Sequence, residues 1–449
     1  MPSTLLDSAV FRDIFTTPAM REVFSDENRV QKYLDFEKGL AVAQARLKII
    51  PQEACDEIVQ HCDVKEYDMA KLKEATERIG YPVLPVVQQL VKLCKGTLGE
   101  WSHWGATTQD ITDSACVLVL REALDIVEKE IDGICDALAV LCKKYRDTPM
   151  AGRSNLQQAV PLTFGYKMAS ILAGFERHRE RLKQLRPRLE VVEFGGAAGN
   201  LSSLGKDGLK CQAELAKELK LGQPVATWHT VRDTIAEVGC FLGLVTGSCG
   251  KIAFDVKLMM QTEVEELYEP FHEGRGSSST MPQKRNPISS VYITAQTAIV
   301  KQMVAALLES MVADHERSTG PWEIDWITLP EIFMLTAGAL AQTKFVVTGL
   351  QVNEKKMREN IDITKGLVMS EAVMMGLGPT LGRNKAHDLV YDVCRLVVKT
   401  GRPLLDLLCE DKEISKHATR AELEKMLDPS NYLGVAGEMV DRVLASRKK

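Results

Sequence analysis

Aromatic side chains make up only 6% of this 449-residue chain, and positive charge is not in excess: 56 basic residues face 61 acidic ones, a formal net of −5. Stacking platforms for single-stranded nucleic acid and basic patches for phosphate backbones or anionic membranes are therefore not expected. The eleven cysteines are scattered, with no CxxC pair and no Cys–His zinc spacing. An odd number of isolated thiols points to a reducing compartment and away from a disulfide framework. No window reaches roughly eighteen uninterrupted apolar residues, so no membrane span is expected. The opening MPSTLLDSAVFRDIF brings an acid early and has no basic stretch before an apolar one, unlike a secretory signal. What is present, 45% hydrophobic and 26% charged residues, has the balance of a large globular enzyme of two or three domains. A cytoplasmic location is the expectation.

Prolines set out the organisation. The intervals Pro85 to Pro149, Pro161 to Pro187, Pro224 to Pro270, Pro287 to Pro321 and Pro330 to Pro379 contain no helix breaker of that kind, and each is long enough for an extended helix. From Leu118 to Leu141, apolar Leu120, Leu124, Val127, Ile131, Ile134 and Leu138 recur at three and four, with Arg121, Glu122, Glu128 and Lys129 between them. The stretch from Ile235 to Met260 is apolar on more than one face, as in a helix buried among helices. No βαβ spacing occurs, and Gly376-Leu377-Gly378-Pro379 lacks the third glycine of a dinucleotide loop. An all-α chain is predicted, with an N-terminal helical domain at 1–114, a central long-helix domain at 115–351 and a C-terminal helical domain at 352–449.

Chemistry concentrates in polar, glycine-bearing interruptions. Gly274-Arg275-Gly276-Ser277-Ser278-Ser279-Thr280-Met281-Pro282-Gln283-Lys284-Arg285-Asn286-Pro287 is a donor-rich, cationic loop opening a long helix. A helix start of that kind favours carboxylate or phosphate. Glu265, Glu266 and Glu269 read as an acidic helix end, and His61, His178, His387 and His417 as surface residues. No metal and no organic cofactor are expected.

The run Ser278 to Pro287, SSTMPQKRNP, resembles the signature loop of the fumarase/aspartase superfamily, with Ser277 where a glycine usually leads. The resemblance covers almost the whole chain. Ser102 to Asp110 (SHWGATTQD) is similar to the first signature region and Gly152 to Pro161 (GRSNLQQAVP) to the second. Phe194 to Gly199, Trp228-His229-Thr230 and His315 to Ser318 resemble the branch of cycloisomerases acting on 3-carboxy-cis,cis-muconate. HWGATTQDITD at 103–113, RSNLQQ at 153–158, SSSTMPQK and GPWE resemble the branch that decarboxylates trans-aconitate. The tail from Gly382 to Gly434 resembles the C-terminal domain of adenylosuccinate lyases.

The resemblance implies a mostly helical protomer whose central helices form a twenty-helix bundle in a homotetramer, each site drawing its three signature regions from three subunits. It implies chemistry beta to a carboxylate, with charge developing on carboxylate oxygens that fixed donors and cations stabilise. Lys284 and Asn286 match residues that hold that carboxylate, with Thr107, Thr108 and Ser279 of the loop as helpers. Ser278 matches the loop serine taken as general base, which requires loop amides and Lys284 to stabilise its conjugate base. His103 matches a histidine that contacts substrate or conducts a proton. Arg153 and Arg317 offer bidentate carboxylate clamps, and His229 stands between site and packing.

The second region departs from the family pattern. Asn155 stands where fumarases carry histidine, Gln158 where many members do, and Val291 where a partner glutamate is usual. Neither amide titrates near neutrality, though both can fix a carboxylate by neutral hydrogen bonds. A lyase acting on a small unsaturated polycarboxylate is therefore expected, with decarboxylation of trans-aconitate to itaconate favoured because it needs no acid for a leaving group. Cycloisomerisation or another beta-elimination is the alternative reaction, and a catalytically silent helical scaffold the alternative of another class.

Overall fold

The computed structural model describes residues 3–447. Among them the architecture is helical, with 18 α-helices and only two two-stranded sheets. An early helix, α1 (Asp26–Arg46), is started by Ser25, whose hydroxyl accepts from the Asn28 amide, with Asp26 and Glu27 in the first turn. Five helices of 22 residues or more follow: α2 (Thr108–Lys144), α3 (Phe164–Leu189), α4 (Asp233–Met259), α5 (Ile288–Glu309) and α6 (Pro321–Thr348). The stripe read on α2 is the buried one: Leu120, Leu124, Val127, Ile131, Ile134 and Leu138 are all at zero exposure.

Proline bounds these helices less strictly than the intervals imply. Pro187 lies near the end of α3, and Pro330 sits inside α6. Gly376 to Pro379 forms part of the helix Ser370–Leu381, where Gly376 faces Met426, and no phosphate-type loop is formed.

The chain divides into two compact units. One takes the chain up to Ile131 together with 178–249 and 292–341. Its core joins α1, the helices up to residue 94, the start of α2 and the helix Gly208–Leu219, around Phe36, Leu40, Leu90, Ile111 and Phe194. In the same unit α5 and α6 meet closely, since a methyl on Gly338 would fall 2.3 Å from Gln296. The other unit takes 132–177, 250–291 and the chain from Gln342. It holds a helical core around Val373, Val393, Leu404 and Leu423. It also holds the hairpin β1 (Pro149–Ser154) and β2 (Gln157–Thr163), and the short antiparallel pair β3 (Leu267–Tyr268) and β4 (Gln351–Val352).

By length and composition alone, α4, α5 and α6 could each cross a membrane, although none has an unbroken apolar run. Only 28% of the apolar window of α5 is buried within the single chain, and Val291, Ile299 and Leu308 stand out from it.

Candidate active site

In the first unit the polar segment Ser102–Thr107 runs into the start of α2. Asp110 organises this turn. Its carboxylate accepts from the Thr107 amide at 2.9 Å, the Gly195 and Gly196 amides at 2.8 and 3.0 Å, and His229 Nε2 at 2.7 Å. Four donors on one buried carboxylate tie the helix start to the glycine turn 195–199 and to His229. His229 is thus turned inward, 3% exposed. Glu193 lies 3.5 Å from the same imidazole. Burial pushes its pKa up to about 9, with the charges of Asp113 and Asp110 adding to the effect. Asp110, Glu193 and His229 have the donor types of a metal site, but Asp110 is already occupied by its N–H donors.

His103 has a left-handed backbone at φ 60, held by buried Glu37 of α1, which accepts from both the His103 amide at 2.9 Å and Nδ1 at 2.8 Å. Burial disfavours the charged ring, but the charge and hydrogen bond of Glu37 outweigh it, and the pKa lies above the ordinary histidine value. Nε2 remains free for chemistry on a side chain one-quarter exposed.

Arg317 joins Thr107 in this unit. Its Nε donates to Gln109 Oε1 at 2.7 Å and its Nη1 to Thr107 Oγ1 at 3.0 Å. Nη1 also donates to the Ala197 carbonyl at 3.5 Å; all three partners are neutral, and no carboxylate among the described residues pairs with it. Thr108 is the first residue of α2.

In the second unit the hairpin tip is a two-residue turn. Ser154 pairs with Gln157, so Asn155 and Leu156 make the turn, at φ 50 and 62. Two positive φ values in a two-residue hairpin loop define a type I′ turn, and it places exposed Asn155 at the outermost point. Arg153 gives two hydrogen bonds, 2.9 and 2.6 Å, to fully buried Glu266. Gln158 Nε2 donates to the Asn360 carbonyl at 2.6 Å. Of the three cations offered by the sequence, Arg317 and Lys284 therefore keep charge that no described carboxylate matches. Arg153 does not.

The signature loop is closed at its base. Ser277 bridges to Arg285, and the Asn286 amide and Nδ2 both donate to the Gly276 carbonyl, at 3.0 and 2.9 Å. Gly276 lies at φ 71, and a Cβ there would come 2.6 Å from the Asn286 carbonyl. The Arg285 guanidinium stacks over Tyr268 and Phe271, 5.0 and 4.6 Å from the ring centres. Within the loop the Thr280 and Met281 amides donate to Ser278 Oγ at 3.3 and 3.1 Å, bonds that favour an anionic oxygen. Ser279 and Lys284 are exposed.

Two readings of the sequence need correction here. The acidic run is not a helix end. Glu266 anchors Arg153, and Glu269 accepts from the Ser289 and Ser290 amides at 3.1 and 2.7 Å, capping α5. The start of that helix thus already holds a carboxylate, and anion capacity is left to the loop amides and Lys284. His178 is not a surface residue: it is 4% exposed, with Nε2 2.8 Å from Ser248 Oγ. The organising roles of Asp110, Glu193, Gln109 and Glu37 were missed, since only the quoted motif around Gln109 and Asp110 pointed towards any of them.

A family model for lyases matches residues 14–301, and one for the adenylosuccinate lyase C-terminus matches residues 366–443. The chain belongs to the fumarase/aspartase superfamily. Within the superfamily it is 56% identical over 442 residues to trans-aconitate decarboxylase 1 of Mycosarcoma maydis, covering 98% of this chain and 90% of that one. It is 44% identical over 439 residues to 3-carboxy-cis,cis-muconate cycloisomerase of Pseudomonas aeruginosa, covering 97% and 96%. A crystal structure of fumarate lyase from Mesorhizobium sp. BNC1 superposes with a TM-score of 0.91 at 45% identity, covering 96% of this chain and 99% of the other. The superfamily resemblance of the signature loop and the helical fold are thereby shown, and the chain is an enzyme of the lyase class.

Proposed function

We propose that this lyase decarboxylates trans-aconitate to itaconate, as a cytoplasmic homotetramer whose sites combine signature regions from three subunits. One observation carries the reaction: no titratable group stands at the hairpin positions where an elimination needs an acid, and the Gln158 amide is tied to Asn360. The likeness to trans-aconitate decarboxylase 1 supports the substrate. The apolar residues left exposed on α5, Val291, Ile299 and Leu308, support self-assembly.

In the reaction the bond to the CH₂-bound carboxylate breaks and CO₂ leaves. The released electron pair forms the new terminal alkene, and the former alkene pair moves to the far carbon, spreading onto its carboxylate. One proton is then added to that carbon. Charge grows on the far carboxylate, where Arg317, Lys284 and the loop amides act as fixed electrostatic stabilisers. The departing carboxylate loses charge and needs no cation, which fits the Arg153–Glu266 pair. His103, whose protonated form Glu37 favours and whose Nε2 lies away from that pair, delivers the proton. Ser278, its oxygen facing two amides, holds the loop end of the substrate.

A second reading, cycloisomerisation of 3-carboxy-cis,cis-muconate, is favoured by the 44% identity to the Pseudomonas aeruginosa enzyme. Incubation of the purified protein with each compound decides. CO₂ release and itaconate signals by NMR from trans-aconitate are expected. Lactone formed from 3-carboxymuconate without CO₂ would replace the decarboxylase reading with the cycloisomerase one.

A further inference from the structure

Gln109 lies in the first turn of α2 at zero exposure, and the family resemblance assigns it no role. Its amide is fully used. Oε1 accepts from Arg317 Nε at 2.7 Å, while Nε2 donates to Asp113 Oδ2 at 3.1 Å and to the His229 carbonyl at 2.8 Å. Only this orientation satisfies the bonds. A flipped amide would set its NH₂ against the Arg317 N–H, and its oxygen against a carboxylate and a carbonyl. The far end is fixed in turn. Asp113 accepts from Arg232 Nη1 at 2.6 Å and Trp322 Nε1 at 3.0 Å, and Arg232 closes on Asp325 at 2.6 Å.

We infer that Gln109 is the positioning residue of Arg317. It fixes the guanidinium in one direction from a buried network, and it does so without charge, so the positive charge and the Nη2 edge stay available to a substrate carboxylate. An ionised carboxylate at 109 would accept the same N–H and cancel the charge. An apolar side chain would free Nε and let the guanidinium turn, held only at Nη1 by Thr107 and the Ala197 carbonyl. The inference rests on Arg317 as a carboxylate clamp and adds what aims it and why that partner is an amide.

Three variants test it: Arg317→Met, Gln109→Met and Gln109→Glu, each checked for native helicity and assembly. Binding of the non-decarboxylating acids succinate, fumarate and tricarballylate is measured by calorimetry across pH. Arg317→Met should weaken binding by about tenfold or more, the value of hydrogen bonds to a charged group. Gln109→Met should weaken it comparably at every pH. The carboxyl introduced by Gln109→Glu would face Arg317, Asp113 and the His229 carbonyl, with Arg232 beyond Asp113 and the Asp110, Glu193 and His229 cluster beside it. Protonated, it keeps a neutral acceptor for Arg317 Nε and one of the two donations that the amide makes, to Asp113 or to the His229 carbonyl. Ionised, it neutralises Arg317. Affinity of Gln109→Glu should therefore approach that of the unmodified protein at low pH and fall as pH rises, a dependence that a merely structural role would not create.

If Arg317→Met weakens binding while both Gln109 variants stay within about twofold at every pH, the inference is overturned and the clamp stands. If Arg317→Met changes nothing, clamp and inference fall together. Should the unmodified protein bind none of the three acids, the polycarboxylate reading falls, and phenylglyoxal labelling still decides the positioning. Arg317 should react several-fold faster in Gln109→Met, and an unchanged rate overturns the inference.

Discussion

Glu193 shows how strongly a single buried group ties this site to pH. The unfolded carboxyl titrates near about 4.3, while in the fold burial lifts it to about 9. Between those values the folded chain holds a proton that the unfolded chain has lost, so stability falls as pH rises through that window, by up to about 1.4 kcal/mol per pH unit. Glu193→Gln keeps the acceptor for the Trp228 amide and removes the titration. Its stability should equal that of the unmodified protein near pH 4 and exceed it by about 2 kcal/mol or more at pH 7. Urea melts at several pH values measure this, and parallel curves for the two proteins would contradict the assignment. Nothing near Glu193 in the sequence announces the effect. Val191, Val192 and Phe194 give its burial, but Asp110, Asp113 and His229 lie far along the chain, and only the fold brings them within reach. Ser278, Lys284 and His103 could be named as candidates because each sits inside a contiguous motif. The neutralising partner of Arg153 was not, for Glu266 is 113 residues away.

At the scale of the element, helices were legible and the hairpin was not. The period of α2 predicts its buried face residue by residue, because one long amphipathic stripe repeats the same signal many times. A pair of short strands carries little periodic signal, and its turn lacks the Asn-Gly that marks most type I′ hairpins. Leu156 occupies the second turn position at φ 62 and 75% exposure. An L-residue with a bulky side chain is strained there by about 1–2 kcal/mol, and strain of that kind collects where function requires a side chain. Leu156→Gly relieves the strain at some cost in unfolded-state entropy. The variant should be as stable as the unmodified protein or more so, by up to about 1 kcal/mol, and less active. Thermal melts together with kcat/KM check both halves. A drop in stability with full activity would show that the turn, and not the tip, needs leucine.

On the scale of the whole molecule, the proposed assembly rests on the exposed apolar residues of α5, and the proposed substrate on the charge of Arg317 and Lys284 that no described carboxylate matches. α5 presents Val291, Ile299 and Leu308 outward at 46%, 48% and 44% exposure, and apolar stripes on bundle helices are covered by other helices. Closed symmetric assembly supplies such helices from identical chains. If His103 and Ser278 of one site then come from different subunits, two inactive proteins can repair each other. Ser278→Ala and His103→Ala each remove one contribution. In a mixture of equal amounts, randomly exchanged, a site is intact when its histidine comes from the first variant and its serine from the second. That occurs in about a quarter of sites. Activity should therefore return to about a quarter of the unmodified level after mild denaturation and joint refolding, and stay near zero for each variant alone. Native mass spectrometry of differently labelled chains confirms the exchange. Full exchange without recovery would place both residues in one subunit and remove the shared site from the proposal, while leaving the lyase assignment untouched.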